Sequence, residues 1–149
     1  MSHSVVMQSA GHGFRLRTSV LRREMLKSAT LLQGVHDAIY MQMCSFAQAG
    51  ACNGMHEVEP RLSRWLLHAS DLMETETMDF TQEFLSLMLG TQRTSVSIAA
   101  GTLQRRGLIS YQRGHVTILN RPLMEHAACD CYTMLREVYQ RTFPDKSAR

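Results

Sequence analysis

"LGTQRTSVSIAAGTLQRRGLISYQRGHVTI", Leu89 to Ile118, is the stretch on which the fold turns. Gly90 ends an apolar run, and Thr91 or Gln92 can cap a new helix running to Arg106, with Gly107 as its stop. Along that helix Val96, Ala99, Ala100 and Leu103 share one inward face. "LISY" and "VTIL" then read as two short strands, in which Ile109 alternates with Tyr111 and Val116 with Ile118. The intervening "QRGH" offers Gly114 for a hairpin turn. Charge is segregated around this run. From Thr91 to Arg121 there are five arginines and no Asp, Glu or Lys, whereas Glu57 to Glu83 holds seven acids against two arginines.

Immediately upstream, "FTQEFLSLMLG" is a second helical pattern. Thr81 is a good N-cap, Glu83 lies in the first turn where the helix dipole favours an acid, and Phe84, Leu85, Met88 and Leu89 would be buried. Two short helices joined by about three residues around a glycine are a helix-turn-helix signature. With the hairpin behind them they predict a winged helix-turn-helix. The expected fold class is mainly α with a small β-hairpin wing, preceded by a long helix.

The charge pattern then has a physical reason. DNA carries a phosphate charge about every 1.7 Å of its axis, so a face turned toward it must be free of acids. Arg105 and Arg106 at the end of the second helix, Arg113 at the wing tip and Arg121 beyond it can meet phosphate. With the inward face fixed, the opposite side of the helix presents Thr94, Ile98, Gly101 and Arg105, with Ser97 beside it and Arg93 leaning out from the first turn. N-terminal residues of such a helix reach base edges. The expected DNA-binding set is Thr81, Gln92, Arg93, Thr94, Ser95, Ser97, Ile98, Arg105 and Arg113.

The rest of the chain supplies support. Residues 1–13 read as a polar tail, and "FRLR", Phe14 to Arg17, alternates like a short strand. Thr18 or Ser19 can cap a short helix through Leu26. From Ser28 to about Ala51, Leu32, Val35, Ile39, Gln42, Phe46 and Ala49 recur at alternating spacings of three and four, and Leu31 and Met43 widen the stripe. That is either the seam of a self-pairing helix or one face of a globular helix. Gly50 and Asn53–Gly54 interrupt the pattern. A helix from Glu57 to Asp71 follows, with Pro60 in its first turn and Val58, Leu62, Trp65, Leu66 and Ala69 inward. "DLMETETMD" reads as a solvated polar connection. Pro122 opens a last helix with a stripe of Met124, Ala127, Ala128, Cys131, Leu135 and Val138, and "FPDKSAR" closes as a basic tail.

Composition bounds the function. The 149 residues allow one good core, and 44% apolar content fits a folded chain. No apolar stretch approaches the roughly 20 residues of a membrane span, and no signal-peptide core is present. The expected location is the cytoplasm, and no membrane partner is expected. Cys44, Cys52, Cys129 and Cys131 are then expected to be reduced. Cys-x7-Cys and a distant Cys-x-Cys match none of the usual Cys-x2-Cys frameworks, and helical patterning accounts for each as a small apolar residue. His3, His12, His36, His56, His68, His115 and His126 form no His-x3-His pair. Neither metal nor other cofactor is expected. No spacing suggests a Ser/His/Asp or Cys/His set, so the chain is not expected to be an enzyme.

"RLSRWLLHASD", "TQEFLSLMLGTQRTSVSIAAGTLQRRGLISYQRGHVTILNR" and "HAACDCY" resemble the C-terminal DNA-binding domain of the Crp–Fnr superfamily of bacterial regulators, from about Ala51 to Tyr132. The helix from Ser28 resembles that family's dimerisation helix, and "GHGFRLRTSVLRREM" resembles the last strand and short helix of its sensor β-roll. The resemblance implies three parts: residues 1–27 as a β-roll remnant and short helix, 28–52 as the dimerisation helix, and 53–149 as the winged domain with a C-terminal helix. It implies a regulator that binds a palindromic operator in double-stranded DNA as a homodimer through Leu32, Val35, Ile39, Met43 and Phe46, with RNA polymerase as a further candidate partner.

Where well-known members place Arg, Glu and a second Arg against bases, this sequence has Arg93, Thr94 and Ile98, so its operator should differ. The segment that binds a cyclic nucleotide in the family, and the cysteine group that holds an iron–sulfur cluster in its oxygen-sensing branch, have no counterpart here. No effector residue is carried over. The alternative is a truncated winged-helix interaction module that pairs with full-length relatives. The acid-free face favours DNA.

Overall fold

The computed structural model describes residues 7–8 and 11–144. The expectations for the polar tail and for the basic end of the chain fall largely outside those residues. The chain divides into two compact units, Met1–Ile39 and Tyr40–Arg149.

In the first unit, α1 spans Thr18–Met25 and α2 begins at Ala29. Ser28 caps α2, its Oγ accepting from the Leu31 amide at 3.2 Å. The strand expected over Phe14 to Arg17 does not form: the segment is irregular and Phe14 is fully exposed. An isolated strand with no ladder to join has nothing to satisfy its backbone. The α1 cap position is Arg17, with no side-chain bond, rather than Thr18 or Ser19.

The second unit holds the remainder of α2, which ends at Met55, then α3 (Val58–Met73), β1 (Thr77–Asp79), α4 (Gln82–Leu89), α5 (Arg93–Arg105), β2 (Ile109–Gln112), β3 (His115–Ile118), α6 (Arg121–Ala127) and α7 (Cys131–Thr142). The sheet order is β1-β3-β2, antiparallel throughout, with Met78 opposite Val116 and Tyr111 opposite Val116. Leu62, Leu66 and Leu67 of α3, Leu85 and Leu89 of α4, the α5 face of Val96, Ala99, Ala100 and Leu103, and Ile109, Val116 and Ile118 of the sheet make one core. The inward face expected for α5 is the buried one. Trp65 meets Phe80 edge-on at 4.9 Å, and Phe80 stacks on Phe84 at 5.2 Å, sealing the start of α4.

Three expectations are corrected. The helix α2 runs through Gly50 and Asn53–Gly54 instead of stopping there. The helical bonding holds through this stretch, the His56 amide reaching the Cys52 carbonyl at 3.1 Å, with Cys52 fully buried beside Cys129 and Cys131. "DLMETETMD" is not merely a connection: α3 extends to Met73, Glu74 turns the chain in the left-handed region, and β1 pairs with β3. Its alternation of exposed Thr77, buried Met78 and exposed Asp79 hides a strand whose only apolar residue is a methionine. The last helix is two. Ala128 is extended, with ψ 154°, so α6 ends and α7 starts anew at Cys131. This turn brings Cys129 beside Cys52, where burial pushes the Cys129 thiol up to about 12 and the neighbouring Cys52 and Cys131 add to the rise.

Candidate nucleic-acid interface

Both helices of the helix-turn-helix are built by local rules. Thr81 caps α4, its Oγ1 accepting from the Phe84 amide at 3.1 Å. At the other end Gly90 takes φ 58°, letting the Thr91 amide reach the Ser86 carbonyl at 3.1 Å. Gln92 occupies the cap position of α5 without a side-chain bond. Gly107, with φ 71°, closes α5 in the same way, the Leu108 amide bonding to the Leu103 carbonyl at 3.0 Å.

A residue the sequence reading passed over locks the turn. Arg61 of α3 is buried and donates from Nη2 to the Leu89 carbonyl, one of the C-terminal carbonyls that α4 leaves unpaired. An arginine one place from Leu62 and four from Trp65, on a helix that is otherwise apolar on that side, was the available signal.

The wing is a two-residue hairpin. Gln112 pairs with His115 across Arg113 and Gly114, which both take positive φ, 49° and 88°. That is the turn whose twist suits a tight hairpin, and it puts Arg113 at the tip. The wing is fixed to its neighbours by the Tyr111 amide on Gln104 Oε1 at 2.9 Å and by the Tyr111 hydroxyl on the Phe80 carbonyl at 2.7 Å. Burial raises the Tyr111 pKa, and Arg93 lies near enough to oppose that rise.

Gln92, Arg93, Thr94, Ser97 and Ile98 are exposed on the first two turns of α5, Ile98 at 71%, and Ser95 is half-buried. Arg105, in the last turn, is exposed and folds back over Gly101: its Nη2 donates to Thr102 Oγ1 at 3.0 Å, and a Cβ on Gly101 would meet its Nη1 at 3.4 Å. Thr81 lies against the wing turn, since a Cβ on Gly114 would meet its Cγ2 at 3.5 Å. The exposed side of α5 is thus polar but for Ile98, and Thr81 at the start of α4 adjoins the wing turn.

Two of the five arginines are not available to it. Arg106 pairs with Glu59 of α3 at 2.5 Å. Arg121, expected at phosphate, sits instead at the centre of an ion-pair network with Asp71, Glu76 and Glu125, and it also donates to the Tyr132 hydroxyl at 3.0 Å. Burial opposes its charge, but the bond to Glu76 and the Asp71 carboxylate outweigh that, and its pKa rises. Arg93, Arg105 and Arg113 have no carboxylate within ion-pair distance among the described residues. The acids that look segregated in the sequence therefore pair with two of the five arginines in space and leave three on α5 and the wing.

A family model described as a Crp-like helix-turn-helix domain matches residues 60–127. Among solved structures the chain is similar to FixK2 from Bradyrhizobium japonicum, at 13% identity and TM-score 0.68, over 76% of this chain and 60% of that one. It is similar to a CRP-family transcriptional regulator from Thermus thermophilus, at 23% identity and TM-score 0.59, over 68% and 55%. A putative transcriptional regulator of the crp/fnr family from Eubacterium rectale matches at 19% identity and TM-score 0.55, over 73% and 50%. The chain thus spans between 50 and 60% of the length of these structures. No curated protein matches it at a significant level. Among the described residues no helix is long and apolar enough to cross a membrane. Residues 60–127, from α3 to α6, thus form a Crp-like helix-turn-helix domain.

Proposed function

We propose that the chain is a sequence-specific DNA-binding transcription regulator that binds a palindromic operator as a homodimer. The observation that carries this reading is the exposed face of Gln92 to Ile98 with Arg93, Arg105 and Arg113 around it, none of them paired with an acid. The start of α5 lies in the major groove, where Arg93 reads a base and Thr94, Ser95, Ser97 and Ile98 line the contact. Arg105, Arg113, Gln92 and Thr81 hold the backbone on either side.

The dimer rests on α2. Leu32, Ile39, Met43 and Phe46 are 37%, 53%, 65% and 69% exposed, and Val35 is half-buried on the same stripe. A helix whose heptad positions are apolar and uncovered suits a second copy of itself, and the resemblance of α2 to the family's dimerisation helix points to that partner. Ile39→Asp with Phe46→Asp places charges in the seam. Sedimentation at tens of micromolar should show dimers of the wild type and monomers of the double variant, with its helix content unchanged. A wild type that is already monomeric there contradicts the dimer.

A further inference from the structure

Cys52 and His56 are four residues apart at the end of α2, so they project from one side, and the His56 amide still bonds the Cys52 carbonyl at 3.1 Å. Cys129 lies in the break between α6 and α7, and Cys131 is the first residue of α7. The three sulfurs and an imidazole nitrogen all lie within 4.8 Å of one another. Cys52 Sγ is 3.5 Å from Cys129 Sγ, and Cys131 Sγ is 3.6 Å from His56 Nδ1. A tetrahedral zinc ion, with bonds of about 2.3 Å to sulfur and about 2.0 Å to nitrogen, holds its ligands about 3.5–3.8 Å apart. A disulfide needs sulfurs about 2.05 Å apart, and all four cysteines are free thiols.

We propose that Cys52, His56, Cys129 and Cys131 form a closed site for a single zinc-type divalent cation. The donor set is three soft thiolates and an imidazole, which selects zinc over the oxygen-loving cations. The cysteines are buried and His56 is half-buried, so the ligands come from protein on all four sides, the arrangement of a structural rather than a catalytic ion. Gln48, one turn before Cys52, donates from Nε2 to Cys131 Sγ at 2.8 Å, an outer bond of the kind that orients and stabilises a metal-bound thiolate.

The site also accounts for two irregularities. It anchors the last turn of α2 through Asn53–Gly54, and it gives the break at Ala128 a purpose, since one continuous helix could not present Cys129 and Cys131 together. The ion clasps the end of α2 to the α6–α7 turn.

The test uses the full chain, reduced, stripped with a chelator and titrated anaerobically with Co2+ and then Zn2+. One Co2+ per chain should bind, with the strong visible absorption of a tetrahedral site and thiolate-to-cobalt charge transfer in the near ultraviolet, and Zn2+ should bleach both. Cys131→Ser should weaken uptake at least tenfold, while Cys44→Ser, outside the cluster, should leave it unchanged. The wild-type spectrum alone decides the matter if a variant fails to fold. Absence of a tetrahedral cobalt spectrum overturns the proposal. So does a brown iron–sulfide chromophore in the purified chain, or undiminished uptake by folded Cys131→Ser.

Discussion

Replacing Arg121 with methionine is expected to lower the melting temperature by about 10 °C while leaving the salt dependence of DNA binding untouched. The side chain is one-third exposed and serves Asp71, Glu76, Glu125 and Tyr132 at once. Removing it takes the shared cation from three carboxylates, leaving Asp71 the Tyr132 hydroxyl, Glu76 the Ser70 hydroxyl and Glu125 the Arg136 guanidinium. Fully buried pairs lose 3–5 kcal/mol when one partner goes and exposed pairs almost nothing, so about 2–3 kcal/mol is the fitting range for this intermediate site. The network fastens α6 to the end of α3 and to the segment before β1, all remote from the tip of the wing. A lysine retains the charge but not the forked geometry and should recover only part of the loss. Thermal unfolding followed by circular dichroism reads the stability, and binding titrations below the transition read the salt slope. A normal melting temperature with a shallower slope would return Arg121 to the phosphate contacts.

For Arg93→Ala the expected result is a loss of roughly 10- to 100-fold in binding to the operator, with little change on random DNA. A bidentate contact to guanine contributes about 1–3 kcal/mol of discrimination, and Arg93 stands in the exposed first turn of α5. Arg113→Ala should act differently. At a hairpin tip Arg113 meets the backbone, so its loss should weaken specific and random DNA alike and flatten the salt dependence by about 0.9 per chain. Because Arg113 has positive φ, Arg113→Gly supplies a variant free of backbone strain and should give the same binding result. Equal losses on both DNAs for Arg93→Ala would assign that residue to phosphate.

The helix-turn-helix was legible because its determinants are local. The Thr81 cap, the positive-φ glycines at 90 and 107, and the spacing of Val96, Ala99, Ala100 and Leu103 each act within a few residues. What escaped the sequence depends on distant partners. The strand at Thr77–Asp79 exists because β3 offers it a ladder, and its own composition is that of a loop. Arg106 and Arg121 look like phosphate ligands until Glu59, Asp71 and Glu76 are brought beside them. Arg61 looks like a surface residue until the end of α4 presents a carbonyl to it. Cys52-x3-His56 and Cys129-x-Cys131 carry no recognisable framework separately, and only the fold sets them face to face. Periodicity also carried α2, but not its length, because tertiary burial of Cys52 overrides the helix-breaking tendency of Asn53–Gly54.

The most direct measurement is recovery of bound sequence from random duplex DNA by the 149-residue chain at near-physiological salt. The expected result is an enriched palindrome whose half-sites are about one helical turn, 10–11 base pairs, centre to centre, and whose enrichment collapses for Ile39→Asp with Phe46→Asp. A recovered pool indistinguishable from the input, from a chain shown to be folded, would contradict it.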